Sequence, residues 1–191
     1  MRWIVLALSA ALLLVSASAH AGGLPIERNP YGMRSLLRPR ATSLGKVQRH
    51  ALADIADGHR LVVVVMKGHW CDVCAQQLKE FAFLRKHLEK LDARVVGLSA
   101  DSPRANADVM KRHKLPYPVL SDPRHKVLKA MGVWHEKWGH PLPSIIVYDR
   151  CGKERGRVSG RRPGMRPEKA LLEFLGAIDQ KPERCDAPPS A

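Results

Sequence analysis

Acidic side chains are in short supply: 18 Asp and Glu stand against 32 Lys and Arg, a formal net charge of +14 in 191 residues. Aromatics are scarce as well, with four Trp, three Tyr and three Phe. They are not interleaved with the basic residues, which argues against a nucleic-acid surface. The charge suits acidic partner proteins or an anionic membrane surface, and it equally suits a solvated, Arg-rich face. After the first fifteen residues no run has the roughly 20 apolar positions that cross a bilayer. No internal repeat is found. A second close cysteine pair is also missing: Cys71 and Cys74 are separated by two residues, while Cys151 and Cys185 stand singly. A closed zinc site takes four protein ligands, so the pair alone does not make one.

What is present begins with Met1-Arg2, an apolar run from Trp3 to Val15, and Ser16-Ala17-Ser18-Ala19-His20-Ala21. One positive charge, a short apolar core and small residues predict a secretory signal peptide over residues 1–21, cut after Ala21. The core is short for an uncleaved anchor, and no cysteine follows to mark a lipoprotein. Residues 22–42, with Pro25, Pro30 and Pro39, read as an irregular arm. Residues 43–180 are predicted to form one domain, and 181–191 a polar tail. Export places all four cysteines in an oxidising compartment, the periplasm, where Cys71 is expected to bond to Cys74. Cys151 and Cys185 then either pair, as a structural staple, or stay free, with a resolving role for Cys185 as the sharper alternative.

Along the domain, Ser43 is predicted to cap a short helix through Val47, Leu52 and Ile55 that stops at Asp57-Gly58. The run Leu61 to Met66 is a buried strand. Leu78, Phe81, Leu84, Leu88 and Leu91 recur at steps of three and four, which predicts an amphipathic helix of about 20 residues. Arg94 to Ser99 is a second buried strand, and Ser102 or Asp101 caps a helix from Pro103 to His113. A short helix from Pro123 to Met131 ends at Gly132, and a polar, aromatic loop follows from Val133 to His140. Ser144 to Tyr148 and Lys153 to Ser159 make a hairpin. Pro167 opens a last helix with Ala170, Leu171, Phe174, Leu175 and Ile178 on its core face. Strand, helix and strand in alternation predict an α/β domain with helices flanking a central mixed sheet.

Chemistry concentrates in Lys67-Gly68-His69-Trp70-Cys71-Asp72-Val73-Cys74, directly after the first strand. A two-residue spacer sets both thiols in the first turn of one helix, where unpaired N–H groups and the helix dipole favour a thiolate. Cys71 is expected to be the exposed nucleophile, and Cys74 to attack the mixed disulfide that Cys71 forms with a partner. Trp70 gives an apolar face for docking. Asp72 opposes the thiolate by like charge.

The stretch from about His59 to Ile178 resembles the thioredoxin superfamily, and within it the alkyl hydroperoxide reductase and thiol-specific antioxidant group. Three phrases carry the resemblance: Trp70-Cys71-Asp72-Val73-Cys74, Pro116 to Asp122, and Pro143 before Ile145-Ile146-Val147-Tyr148-Asp149. It implies a thioredoxin-like fold, a cis Leu142–Pro143 bond, and a substrate groove at Trp70, Leu142 and Pro143. A typical peroxiredoxin carries Pro-x-x-x-Thr-x-x-Cys, and its threonine and a later arginine position the peroxide. Here Val64 and Gly68 stand at the proline and threonine positions. Neither His140 nor Arg150, the cations near Pro143, can be given the arginine's role from sequence. The buried acid of thioredoxins is replaced by Val63, Val64 and Val65, which leaves water or His69 to move protons.

This balance ranks exchange of disulfides with partner proteins, or with an upstream reductant, ahead of peroxide reduction. No cofactor or metal is expected. The alternative from another class is a copper site of Cys71, Cys74 and a histidine such as His140, resembling the copper-delivering assembly factors of cytochrome oxidase, which place three residues between their cysteines. Arg155, Arg157, Arg161, Arg162 and Arg166 are the cluster that would meet an acidic partner.

Overall fold

In the computed structural model, which describes residues 41–43, 48–50, 52–159 and 168–179, the strand β3 (Arg60–Val65) is buried along its whole length. That follows from its neighbours. β4 (Ala93–Ser99) runs parallel on one side, with Val64 opposite Gly97, and β8 (Ser144–Tyr148) antiparallel on the other, with Val64 opposite Ile145. A strand paired at both edges and covered on both faces must be apolar throughout.

Side chains alternate across a strand, so β3 feeds two cores. Val62, Val64 and Met66 point to one face, with Leu78, Phe81, Leu88, Val109, Leu171 and Leu175. These come from α2 (Asp72–Lys90), α3 (Pro103–His113) and α5 (Glu168–Asp179). Leu61, Val63 and Val65 point to the other, with Leu52, Leu128, Met131 and Tyr148. There the helices are α1 (Leu52–Ala56) and α4 (Lys126–Ala130). Each such side chain, fully buried, contributes roughly 1.5–3 kcal/mol.

The remaining strands are β1 (Ala41–Ser43), β2 (Gln48–His50), β5 (Val119–Ser121) and β9 (Glu154–Ser159), beside a two-stranded ribbon of β6 (Trp134–His135) and β7 (His140–Pro141). Among the described residues the main sheet has seven strands in the order β2-β1-β5-β4-β3-β8-β9. β3, β4 and β5 are parallel and the outer pairings antiparallel, so the sheet is mixed, as predicted. No described helix is long and apolar enough to cross a membrane.

Three expectations are corrected. The helix foreseen from Ser43 is reduced to the five residues of α1, and β1 and β2 form a hairpin on the β5 edge, where Thr42 faces Ser121. A helix that short does not hold without tertiary contacts, and α1 has them through Leu52 and Ala56. The helix foreseen from Pro123 begins only at Lys126, because the Asp122 carboxylate accepts from the Lys126, Val127 and Leu128 amides and fixes the first turn there. The loop after Gly132 is partly ordered into the β6–β7 ribbon, closed by the 3₁₀ turn Glu136–Trp138. The segment predicted as a signal peptide, most of the predicted arm and the predicted tail lie outside the described residues.

Asp92 joins three segments. It occupies a left-handed position (φ 52°) between α2 and β4, where Asp is among the residues that tolerate it. Its carboxylate accepts from His59, before β3, and from Arg150 at 2.6 Å, in the β8–β9 turn. Burial by itself would raise this carboxyl; the hydrogen bonds from His59 and Arg150, with their charges, outweigh it and hold it below its usual 3.8. A depressed carboxyl adds stability above its unfolded value, and loses it as pH falls through the lower folded value. Asp92→Asn is therefore expected to cost roughly 0.2–1 kcal/mol at neutral pH, the range for a solvent-screened pair. The cost should fade in acid, and urea titrations of both proteins at several pH values check it.

Candidate active site

β3 ends at Val65, and Lys67 to Trp70 carry the chain to α2. Cys71 is the N-cap of α2 in extended conformation, and its sulfur accepts the Cys74 amide at 3.3 Å. The two sulfurs are bonded, with their Cα atoms 5.3 Å apart. Cys71 is half-buried, whereas Cys74 is 4% exposed and belongs to the core beneath the sheet. Access therefore differs between the two: a small oxidant or a partner thiolate reaches Cys71 first. The helix start and the Cys74 N–H both favour negative charge on the Cys71 sulfur once the bond is reduced. Asp72, beside it, is exposed, so water and salt weaken its opposition.

The sequence expectation for Val64 and Gly68 gains a structural account. Val64 sits mid-strand with neighbours on both sides, and a proline there would remove a ladder hydrogen bond. Gly68 is buried under Trp70: a Cβ at position 68 would lie 2.6 Å from the indole Nε1. The indole thus occupies the room that a threonine side chain would need. Gly68→Ala is expected to push Trp70 aside at a cost of roughly 1–3 kcal/mol. The cost should vanish in a Trp70→Ala background, a coupling that a double-mutant cycle by urea denaturation reads directly.

Trp70 is 59% exposed and Val73 52%. The Trp70 ring meets His140 edge-on at 6.0 Å, and Trp138 lies 5.8 Å from His140. Leu142 and Pro143 line a cleft of about 270 Å³ together with Lys67, Trp138 and His140. So Trp70, Leu142 and Pro143, separate in sequence, come to one side of the cysteine pair. Lys67, Trp138 and His140 complete that side. The sequence named all three, two of them as loop residues, but no spacing rule joins position 67 to positions 138 and 140.

Leu142–Pro143 is trans, against expectation, and no cis peptide occurs among the described residues. The Leu142 amide donates to Val133 O at 2.7 Å and the Ser144 hydroxyl to Leu142 O at 3.0 Å. These bonds hold the chain extended on both sides of a peptide whose trans form is already favoured by about 0.5–1 kcal/mol.

His69 is tied down by Asp101: its amide donates to Oδ2 and its Nδ1 meets Oδ1, both at 2.8 Å. A carboxylate only accepts, so Nδ1 carries the hydrogen, and in the neutral ring Nε2 is then the acceptor. Beneath Asp101, its amide donates to Ser99 Oγ, and Ser99 and Asn106 extend the bonds to Leu120 O and Ser121 Oγ. This buried network fixes the carboxylate. The proton carrier foreseen at His69 is thereby held in one tautomer two residues before Cys71.

Among the described residues no group of three or more His, Cys, Asp or Glu side chains is arranged to hold a metal. The copper set of Cys71, Cys74 and His140 is not assembled: the sulfurs bond each other, and His140 Nδ1 donates to Pro141 O at 2.9 Å. Cys151 is disulfide-bonded; Cys185 lies outside the described residues. The arginine cluster is corrected in part. Arg157 is 8% exposed and spent on Glu154, and Arg155 faces Asp149. Arg161, Arg162 and Arg166 lie outside the described residues.

A family model described as the AhpC/TSA family matches residues 40–155. Alkyl hydroperoxide reductase C of Buchnera aphidicola is 24% identical over 140 residues, 70% of this chain and 71% of that protein. Chloroplastic peroxiredoxin Q of Sedum lineare is 36% identical over 103 residues, 53% of this chain and 54% of that protein. The chain thus spans about half the length of the chloroplastic relatives it matches. Among solved structures, Xanthomonas campestris peroxiredoxin Q is similar with a TM-score of 0.67, over 82% of this chain and 98% of that one, at 18% identity, a likeness of fold. The thioredoxin-like fold and the redoxin resemblance are therefore established. With its matched region covering more than half of its residues, the chain belongs to the AhpC/TSA family.

Proposed function

We propose that the chain is a thiol-dependent peroxidase in which Cys71 meets the peroxide and Cys74 resolves the product. The observation that carries this is the half-buried Cys71 sulfur at the start of α2, bonded to the buried Cys74 one turn on. The relatives named alkyl hydroperoxide reductase C and peroxiredoxin Q support peroxide as the oxidant over disulfide exchange. This reverses the order that the missing threonine suggested. The hydroxyl lost at Gly68 has a substitute in the Trp70 indole N–H, a donor standing over the same position.

The Cys71 thiolate attacks the outer peroxide oxygen and the O–O bond breaks. The proton given up by the Cys71 thiol passes to water or to His69 Nε2 and is returned to the leaving oxygen, which departs as an alcohol. Cys71 is now a sulfenic acid. Cys74 attacks its sulfur, water leaves, and the disulfide forms. An external dithiol then supplies two electrons and two protons by thiol–disulfide exchange and restores both thiols. We place this chemistry in the cell envelope on the strength of the N-terminal Met1 to Ala21 pattern, and the reductant among exported dithiol proteins.

A second reading, disulfide exchange with partner proteins, is favoured by the exposed apolar rim of Trp70, Val73 and Trp138 around the pair. One assay ranks them: peroxide consumption with a dithiol reductant, run beside reduction of insulin disulfides. Peroxide turnover far above the uncatalysed rate supports the peroxidase; insulin reduction with no peroxide turnover supports exchange and sinks the first reading.

A further inference from the structure

The cleft beside the cysteine pair has a polarity that neither reading uses. Lys67 is half-buried at its wall and has no ion-pair or hydrogen-bond partner among the described residues. Among the described residues no Asp or Glu lines the cleft, and the other walls are Trp138, His140, Leu142 and Pro143. A half-buried lysine beside Trp138, Leu142 and Pro143 finds no anion in the cleft wall to meet, and burial penalises an unpaired charge. His140 is shared between the cleft and the Trp70 contact, so a molecule filling the cleft lies beside the residue next to Cys71.

We infer that this cleft is a carboxylate-binding subsite, in which Lys67 holds the carboxylate of a small organic acid and Trp138, Leu142 and Pro143 hold its apolar body. A volume of about 270 Å³ equals roughly nine water molecules at ~30 Å³ each, which fits an acid of some six carbons. The inference rests on the peroxidase proposal in one respect: the substrate class becomes organic hydroperoxides that carry a carboxylate. Hydrogen peroxide, too small to span the cleft, would gain nothing from Lys67. Lys67 is here a positioning residue for substrate, not a participant in breaking the O–O bond.

The test uses unreactive probes, so that it does not depend on turnover. Hexanoate and hexanamide have the same number of non-hydrogen atoms and differ in charge. Titrating each into the oxidised full chain and following tryptophan fluorescence should show hexanoate binding about tenfold more tightly or better, the effect of one charge-assisted contact. Lys67→Met should bring the two probes level, and Lys67→Arg should keep the preference, which separates lost charge from lost fold. Equal binding by the wild type, no saturation by either probe, or a preference that survives in Lys67→Met would each overturn the subsite. Discrimination without any peroxide turnover would leave the subsite standing and remove the peroxidase proposal. Turnover without discrimination would do the reverse.

Discussion

Replacing Cys71 by serine is expected to bring peroxide consumption down to the uncatalysed level, a loss of more than roughly 10³-fold, as for removal of a catalytic nucleophile. The change is structurally mild. Position 71 is the N-cap of α2 and its side chain accepts the Cys74 amide; serine is among the preferred residues for that task. Lost activity with unaltered stability would therefore be chemical in origin. Cys74→Ala should behave differently. Its sulfur is buried and lies on the far side of the bond from solvent, so the first oxidation of Cys71 should persist for a single turnover. It should then stop at the sulfenic acid or at a mixed disulfide with the added reductant. Intact-mass measurement after one equivalent of peroxide distinguishes the two variants: Cys74→Ala gains an oxygen and Cys71→Ser does not. Full steady-state turnover by Cys71→Ser would exclude the assigned roles.

The largest expected effect on stability lies away from the site. Arg157 and Glu154 form a fork, Nε to Oε1 at 2.6 Å and Nη2 to Oε2 at 2.7 Å, and both are almost fully buried on β9. Arg157 also donates Nη1 to Met131 O at 2.9 Å, tying the end of α4 to the sheet. Glu154→Ala leaves the guanidinium buried without its carboxylate and should cost about 3–5 kcal/mol. That is a large part of the roughly 5–15 kcal/mol by which a domain is stable. Replacing both partners with apolar residues of similar volume should cost much less, because no charge is then stranded. Urea denaturation of the single and double variants measures the difference. A single variant as stable as the wild type would mean that water reaches Arg157.

What the sequence disclosed and what it withheld divide along the range of the forces involved. α2 was legible because Leu78, Phe81 and Leu88 repeat at helical steps and all three are fully buried. β3 and β4 were legible because their valines have no polar alternation, as a strand covered on both faces requires. The Ser102 cap and Pro103 start of α3 are local chemistry and came out as expected. The β1–β2 hairpin did not, since what makes those residues strands is the free edge of β5, and Thr42 finds Ser121 far along the chain. Arg157 read as one of a surface cluster because nothing near it in sequence announces the burial that Met131 and β9 impose.

The site shows the same division. Cys71, Cys74 and Trp70 are contiguous, and the strand before them with the helix after them predicted their place. Leu142 and Pro143 were reached through the family resemblance and do line the cleft, though in a trans arrangement. Asp101 escaped notice as the partner of His69, and Lys67 as a wall of the same cleft as Trp138 and His140, because the sheet brings loop ends that are distant in sequence together. Gly68 is the instructive case. Alone it read as a lost threonine; beside Trp70 it is the space into which the indole folds.

The most direct test of the central claim is a single-turnover oxidation of the fully reduced protein by an organic hydroperoxide, with rate and product both recorded. The account predicts oxidation well above the rate of a free dithiol at the same pH, with loss of two hydrogens and a Cys71–Cys74 disulfide as product. Oxidation no faster than the free dithiol would contradict it and leave exchange with partner disulfides as the work of this pair.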